Sequence, residues 1–328
     1  MFGFVLRRVG HAVLVLWVVS VMAFLLSTLV GDPVASILGL DATPADRAAL
    51  RLRLHLNDPL LVRYWHFLID ALHGNFGISY TAQRPVLALF AERLPATMEL
   101  ALAALILSVG VGVLLGIYSA IHPRALLVRA LMSLSVVGVA LPTFVFAILS
   151  ITLFSVILRW LPSFGRGQVV QLGWWSTGLL TRSGWASLIL PAVSLAAGQL
   201  ALMARLVSAE MMEVLRTDYI RFARARGIPQ RIIYFSHALR NTLVPIITVS
   251  GIQLGFLVAF DVVAEAVFQW PGIGLLLIQA LGGSDVPVIS AFLVFAAAFF
   301  VTINLIVDVL YAVVDPRLRI DNLKASQP

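Results

Sequence analysis

The stretch TDYIRFARARGIPQRIIYFSHALRNTLVP, from Thr217 to Pro245, decides how the chain is read. Arg221, Arg224, Arg226, Arg231 and Arg240 crowd into it, while long charge-free runs lie on both sides. Leu215, Tyr219 and Phe222 recur at helical spacing with Arg216, Arg221 and Arg224 on other faces, which predicts an amphipathic extension of the preceding apolar helix. Gly227, free to adopt left-handed angles, should end that arm, and Pro229 enforces the turn. Ile232, Phe235 and Leu239 then recur at i, i+3 and i+7, predicting a second short amphipathic helix before the next apolar run. Two arms folded about a glycine suit a handle for a partner. A plain basic loop held on one side of a membrane fits the same residues, and the pattern alone leaves both readings open.

The membrane itself is read from the flanks. The chain is 60% hydrophobic and 12% charged, with a mean hydropathy of +0.98, far from soluble averages. Six apolar runs are long enough to cross a bilayer: 9–30, 98–121, 126–158, 186–207, 243–263 and 288–313. The expected fold is therefore all-α, a polytopic membrane protein with six transmembrane helices. The first run is longer than the apolar core of a signal peptide and is expected to remain as a span. Pro142 inside the third should kink it, and Pro245 is tolerated in the first turn of the fifth. The net charge of +7 marks retained loops rather than a nucleic-acid partner, so lipid is the surface expected around the chain. With no cysteine there is no disulfide framework and no thiol chemistry.

The organisation expected is a first helix with its short leader over 1–30, an outer region over 31–97, a membrane core over 98–313 containing a basic loop at 208–242, and a tail over 314–328. Orientation follows from short-loop charge. Arg7, Arg8, Arg124, Arg129, the run from Arg205 to Arg240, Arg317, Arg319 and Lys324 fall on one side, against Arg159, Arg166 and Arg182 on the other. Both termini and the basic loop are thus expected in the cytoplasm. In the outer region Thr43 and Asp46 have the spacing of a capping box. Trp160, Trp174, Trp175 and Trp185 cluster as rings at a membrane interface would.

Motifs for chemistry are missing from the sequence. There is no G-x-x-x-x-G-K-[ST], no H-E-x-x-H and no G-x-S-x-G. The Gly110 to Gly116 run lies within a span and reads as a helix-packing surface. Gly282-Gly283-Ser284-Asp285 reads as a turn. Glu99, Asp261, Glu265 and Asp308 lie off the bilayer centre and read as interface positions or helix-end partners for arginines rather than an ion path. Gln199, Gln253 and Asn304 lie deeper, where an amide needs a helix–helix contact or a watery pathway. No cofactor or metal is expected, and the chain reads as a conduit driven by something else.

At this point the sequence resembles a known family. Asp218 to Gly227, followed by His237-Ala238-Leu239-Arg240-Asn241, is similar to the cytoplasmic motif of permease subunits of binding-protein-dependent ABC importers, in the dipeptide/oligopeptide/nickel branch. The general motif has Glu-Ala-Ala, three residues, Gly, then Ile-x-Leu-Pro; aligned on Gly227, this chain has Arg221-Phe222-Ala223 and His237-Ala238-Leu239-Arg240, without the carboxylate or the proline. Gly31-Asp32-Pro33, Asp58-Pro59-Leu60, Gly74 to Tyr80, Arg93 to Thr97, Glu265 to Phe268, Trp270 to Gly274 and Asp315-Pro316-Arg317 look like the B-type permease of that branch. His55 departs from the glycine usual before Asp58-Pro59.

The resemblance implies a type I ABC importer permease fold and an ATP-driven half-channel for dipeptides, oligopeptides or a similar small solute. It implies four kinds of partner: a homologous C-type permease, two cytosolic ATP-binding subunits, a periplasmic or lipid-anchored substrate-binding protein and a peptide-like substrate. Contact with an ATP-binding subunit would fall on Arg221, Phe222, Ala223, Arg226, Gly227, Ile228, Pro229, Gln230, Ile232, His237, Arg240 and Asn241. The outer region would meet the binding protein through Asn75, Phe76 and Tyr80, and the pathway would pass Gln199, Gln253 and Asn304. An ion-coupled secondary carrier is the competing class; it calls for a buried acid near the midplane and internal repeats, and neither is seen.

Overall fold

A computed structural model of the chain describes residues 2–29, 34, 43–53, 57–126, 128, 130, 141–260 and 262–314. Asp261, His55, Gly31-Asp32-Pro33, Arg129 and the tail from Asp315 lie outside the described residues. Among the described residues, five helices are long and apolar enough to span a membrane. They are α1 (Phe2–Leu29), α4 (Val86–Ile121), α6 (Arg182–Leu215), α8 (Gln230–Ala259) and α11 (Val286–Val314). Of the third run expected, residues 127, 129 and 131–140 lie outside the described part. Pro142 is extended there (φ −56°, ψ 140°) and starts α5 (Thr143–Ser150), whose last turns widen into a π-helix at Ile151–Ile157. It begins a helix instead of kinking a longer one, because the ring costs the chain a hydrogen bond only after the first turn.

The spans pack in a row. α1 lies on α11, α11 on α8, and α8 on the central pair α4 and α6. Glycines set how closely two of these pairs approach. A methyl at Gly112 would stand 2.9 Å from Met203 Cβ, and one at Gly116 only 2.6 Å from Val207 Cβ. Gly251 and Gly255 repeat the device on α8, where Val307 and Phe300 of α11 fill the space a side chain would need. Four-residue spacing puts each pair on one helix face, so backbones meet where larger residues would hold them apart.

Short elements close the end remote from Gly227. α2 (Pro44–Arg53) starts at Thr43, whose hydroxyl accepts the Asp46 N–H at 3.2 Å while the Asp46 carboxylate accepts from that hydroxyl at 2.6 Å. α3 (Leu60–Leu72) follows. A two-stranded antiparallel hairpin, β1 (Val170–Leu172) with β2 (Trp175–Thr177), carries exposed Trp174, while Trp160 and Trp185 are exposed on either side. Buried Arg166 fixes this loop to α4 by donating to Glu99 Oε2 at 2.6 and 3.1 Å. The expected helix-end pairing of Glu99 with an arginine is present. Asp308 likewise meets Arg8 at 2.9 Å, joining α11 to α1.

Glu265 does something else. On α9 (Val262–Val267), it accepts from Thr97 Oγ1 at 2.7 Å and from the Leu275 N–H at 3.0 Å. The carboxylate thereby caps α10 (Ile273–Gly282), whose free N–H groups favour an anion. Trp270 Nε1 donates to Ala96 O at 2.8 Å in the same knot, which accounts for the Glu265 to Gly274 motif as one re-entrant turn.

Candidate functional site

Around Gly227 the chain forms α7 (Asp218–Ala225), a turn, and the start of α8. α6 stops at Leu215, so α7 is a separate short helix rather than an extension of the span. Gly227 takes φ +76°, the left-handed value expected at the end of such an arm. Beyond it there is no second separate helix. Gln230–Ile232 runs through a π-helical stretch, Ile233–Ala238, straight into Leu239–Phe260, so the second arm is the lower end of span α8 and Pro245 lies inside it.

The face of α7 that turns inward is not the one carrying its aromatic residues. Ile220 and Ala223 are buried against Ile233, with Val214, Leu215, Ile228 and Tyr234 around them. Tyr219 and Phe222 instead face outward, Phe222 63% exposed. Both pairs have three-residue spacing and are offset from each other by one residue. Ala223 and Ile228 therefore hold the arm in place. Arg221, Phe222, Arg226, Gly227, Pro229, Gln230, Ile232, Arg240 and Asn241 are exposed, and His237 is half-buried. Arg226 lies over the Phe222 ring at 5.5 Å, which stiffens the ridge. Asn241 Nδ2 donates to Tyr219 Oη at 2.5 Å, tying α7 to α8 across the turn.

At the opposite end Asn75 is exposed, its Oδ1 accepting the Gly77 N–H at 3.2 Å. Tyr80 is half-buried, and Phe76 packs inward on the cluster of Val86, Phe90 and Ile273. Phe76 is thus an anchor for the loop more than a free contact. Asp285, just before α11, holds the same loop: its Oδ2 accepts from Ser79 Oγ at 2.5 Å, Thr81 Oγ1 at 2.8 Å and Thr81 N at 3.1 Å. Burial alone would push this carboxyl up, but the hydrogen bonds from Ser79 and Thr81 outweigh it and hold it below the ordinary value.

Between α5, α6 and α8 lies a cleft of about 460 Å³ that Gln199 and Gln253 line together. Gln253 Nε2 donates to Gln199 O at 3.3 Å. Asn304 is not part of it; it lies in a separate cleft between α1 and α11, with its amide donating to Phe300 O at 2.9 Å. Ser194, which was not among the candidates, joins the two glutamines in the first cleft. A hydroxyl four residues before Gly198, inside an apolar run, was its only signal.

Residues 112–320 match the family described as binding-protein-dependent transport system inner membrane component, and residues 1–101 match its N-terminal membrane-component family. The chain belongs to the binding-protein-dependent transport permeases. This permease is 39% identical over 324 residues to a protein named as a peptide transport system permease of Brucella abortus (strain 2308), covering 98% of this chain and all of that one. It is 36% identical over 320 residues to the glutathione transport system permease GsiC of Escherichia coli (strain K12), covering 97% and 99%. Its fold is similar to that of a chain in inward-facing structures of the MetNI methionine ABC transporter, with a TM-score of 0.52 and 21% identity over 70% of this chain and 94% of that one. The permease is accordingly a multi-pass inner-membrane protein of the type I importer fold. The family match over 112–320 includes both the Gly227 element and the glutamine cleft.

Proposed function

We propose that this permease is one half of an ATP-driven importer for peptides or a peptide-like solute, with a homologous permease as the other half. ATP hydrolysis belongs to two cytosolic ATP-binding subunits, one of which grips α7, and a substrate-binding protein delivers the solute at the Asn75 end. The observation that carries this reading is the outward ridge of α7. Tyr219 and Phe222 are apolar, stiffened and exposed, while Ile220 and Ala223 already fix the helix to α6 and α8. An aromatic ridge with a basic rim, Arg221, Arg226 and Arg240, suits a groove lined by apolar and acidic groups. The charge count supports a cytoplasmic position for this end and an outer position for Asn75. The names of the relatives support a peptide-like cargo.

The test is uptake by the reconstituted complex in proteoliposomes. ATP without any ion gradient should drive peptide accumulation; uptake that needs a proton or sodium gradient and ignores ATP would sink the proposal in favour of a secondary carrier. At the turn, Gly227→Asp adds a negative charge and Gly227→Asn does not, although both tolerate left-handed angles. The first should abolish uptake while hydrolysis continues, and the second should retain most of it.

A further inference from the structure

The cleft between α5, α6 and α8 has unmet chemistry. Ser194 is 2% exposed and Gln253 6% exposed. Ser194 Oγ, Gln199 Oε1 and Gln253 Oε1 are all buried and have no hydrogen-bond partner among the described residues. Apart from Thr143 the rest of the lining is apolar, including Phe146, Leu195, Leu202, Ile252 and Phe256, and no ionisable side chain is among it within the described residues. A buried oxygen without a donor is destabilising, and lipid tails bring no donor to relieve it. Gln199 lies near the middle of the 34-residue α6, far from the headgroups that could.

Whatever fills the cleft must therefore bring N–H or O–H groups. A volume of about 460 Å³ falls within the range of small-molecule sites. The three unmet oxygens accept; the glutamine –NH2 groups and the Ser194 and Thr143 hydroxyls can donate, but no cationic side chain stands in the lining. An ammonium or a backbone amide finds three unmet acceptors there, whereas a carboxylate finds no cation to pair with. We propose that this cleft is a pausing site on the pathway that receives the N–H groups of the passing solute, an ammonium or peptide amide, and disfavours its anionic groups. The inference rests on the carrier function proposed above and adds the chemistry by which the pathway discriminates.

The absence of cysteine permits a direct test. Thr143→Cys puts one thiol on the cleft wall without removing any of the three oxygens. In the complete importer, the cationic reagent aminoethyl methanethiosulfonate should modify it about tenfold faster than the anionic sulfonatoethyl reagent, after correction for their rates with a free thiol. The mass of this chain reads the reaction. Adding Gln253→Leu should bring the two corrected rates together, and tri-alanine with binding protein and ATP should slow both. Equal corrected rates without Gln253→Leu would overturn the acceptor chemistry. A thiol unreactive both at Thr143→Cys and at Ser194→Cys would overturn the pausing site and assign the oxygens to the partner permease. Charge-selective labelling in a complex that shows no ATP-driven uptake would leave the cleft's chemistry standing and remove the carrier function instead.

Discussion

Arg166 and Glu99 show what single residues contribute. Both are almost completely buried, and Arg166 also donates to Ser176 O at 2.6 Å and Ser176 Oγ at 3.0 Å. Breaking such a pair strands a charge, so Arg166→Met should lower stability by about 3–5 kcal/mol. Combining it with Glu99→Gln should recover most of the loss, as read by thermal unfolding in detergent. Asp285 gives a pH dependence with a definite sign. Its folded carboxyl ionises more readily than the unfolded one, so its stabilisation is complete above the ordinary carboxylate value of about 4 and is lost as pH falls through the lower folded value. A melting series from about pH 7 to about pH 3 should show an acid limb that Asp285→Asn flattens. The sequence exposed Glu99 and Asp308 as partners of arginines, because an acid in an apolar run must find a cation. It left the acceptor role of Glu265 hidden, because its partners are backbone N–H groups created only when α9 and α10 fold together.

At the scale of elements, α7 separates holding from docking. Ile220→Ala removes packing from the buried cluster and should cost about 2–5 kcal/mol. Phe222→Ala should change stability by less than about 0.5 kcal/mol and still weaken binding of the ATP-binding subunit, measured by co-purification or calorimetry. Equal effects of the two on stability would contradict the outward ridge. The pattern in the sequence grouped Tyr219 and Phe222 on one apolar face without saying which way it turns, because aromatic residues on an exposed ridge have the same spacing as core residues. Gly227 and Pro229 were legible since each imposes a backbone angle by itself. The division of α6 from α7 at Arg216-Thr217, and the fusion of the second arm with α8, were not legible, as both depend on contacts made across the turn. The glycine pairs behave similarly: Gly112 and Gly116 stood out in a glycine-rich run, whereas Gly251 and Gly255 acquire meaning only opposite Val307 and Phe300.

For the whole molecule, hydropathy made five spans legible with boundaries too short at several ends. α4 starts at Val86 and α6 ends at Leu215 because helices continue past the hydrocarbon into the loops that anchor them. The orientation inferred from charge has a simple test in this cysteine-free chain. A membrane-impermeant maleimide should label Asn75→Cys in cells whose outer membrane alone is opened, and Ala225→Cys only after the inner membrane is broken. The reverse pattern would invert the molecule and detach α7 from any cytosolic partner.

The uninterrupted course of α8 has a mechanical consequence. Gln230 lies beside the Gly227 turn and Gln253 lines the cleft, on one helix. At about 1.5 Å per residue, those two residues are about 35 Å apart along the rod. A swing of about 10° at its foot carries Gln253 through about 6 Å if the rod stays stiff, which is more than the width of a backbone strand spacing. The π-helical stretch at Ile233–Ala238 lies close to the foot, where a crank would have its bearing.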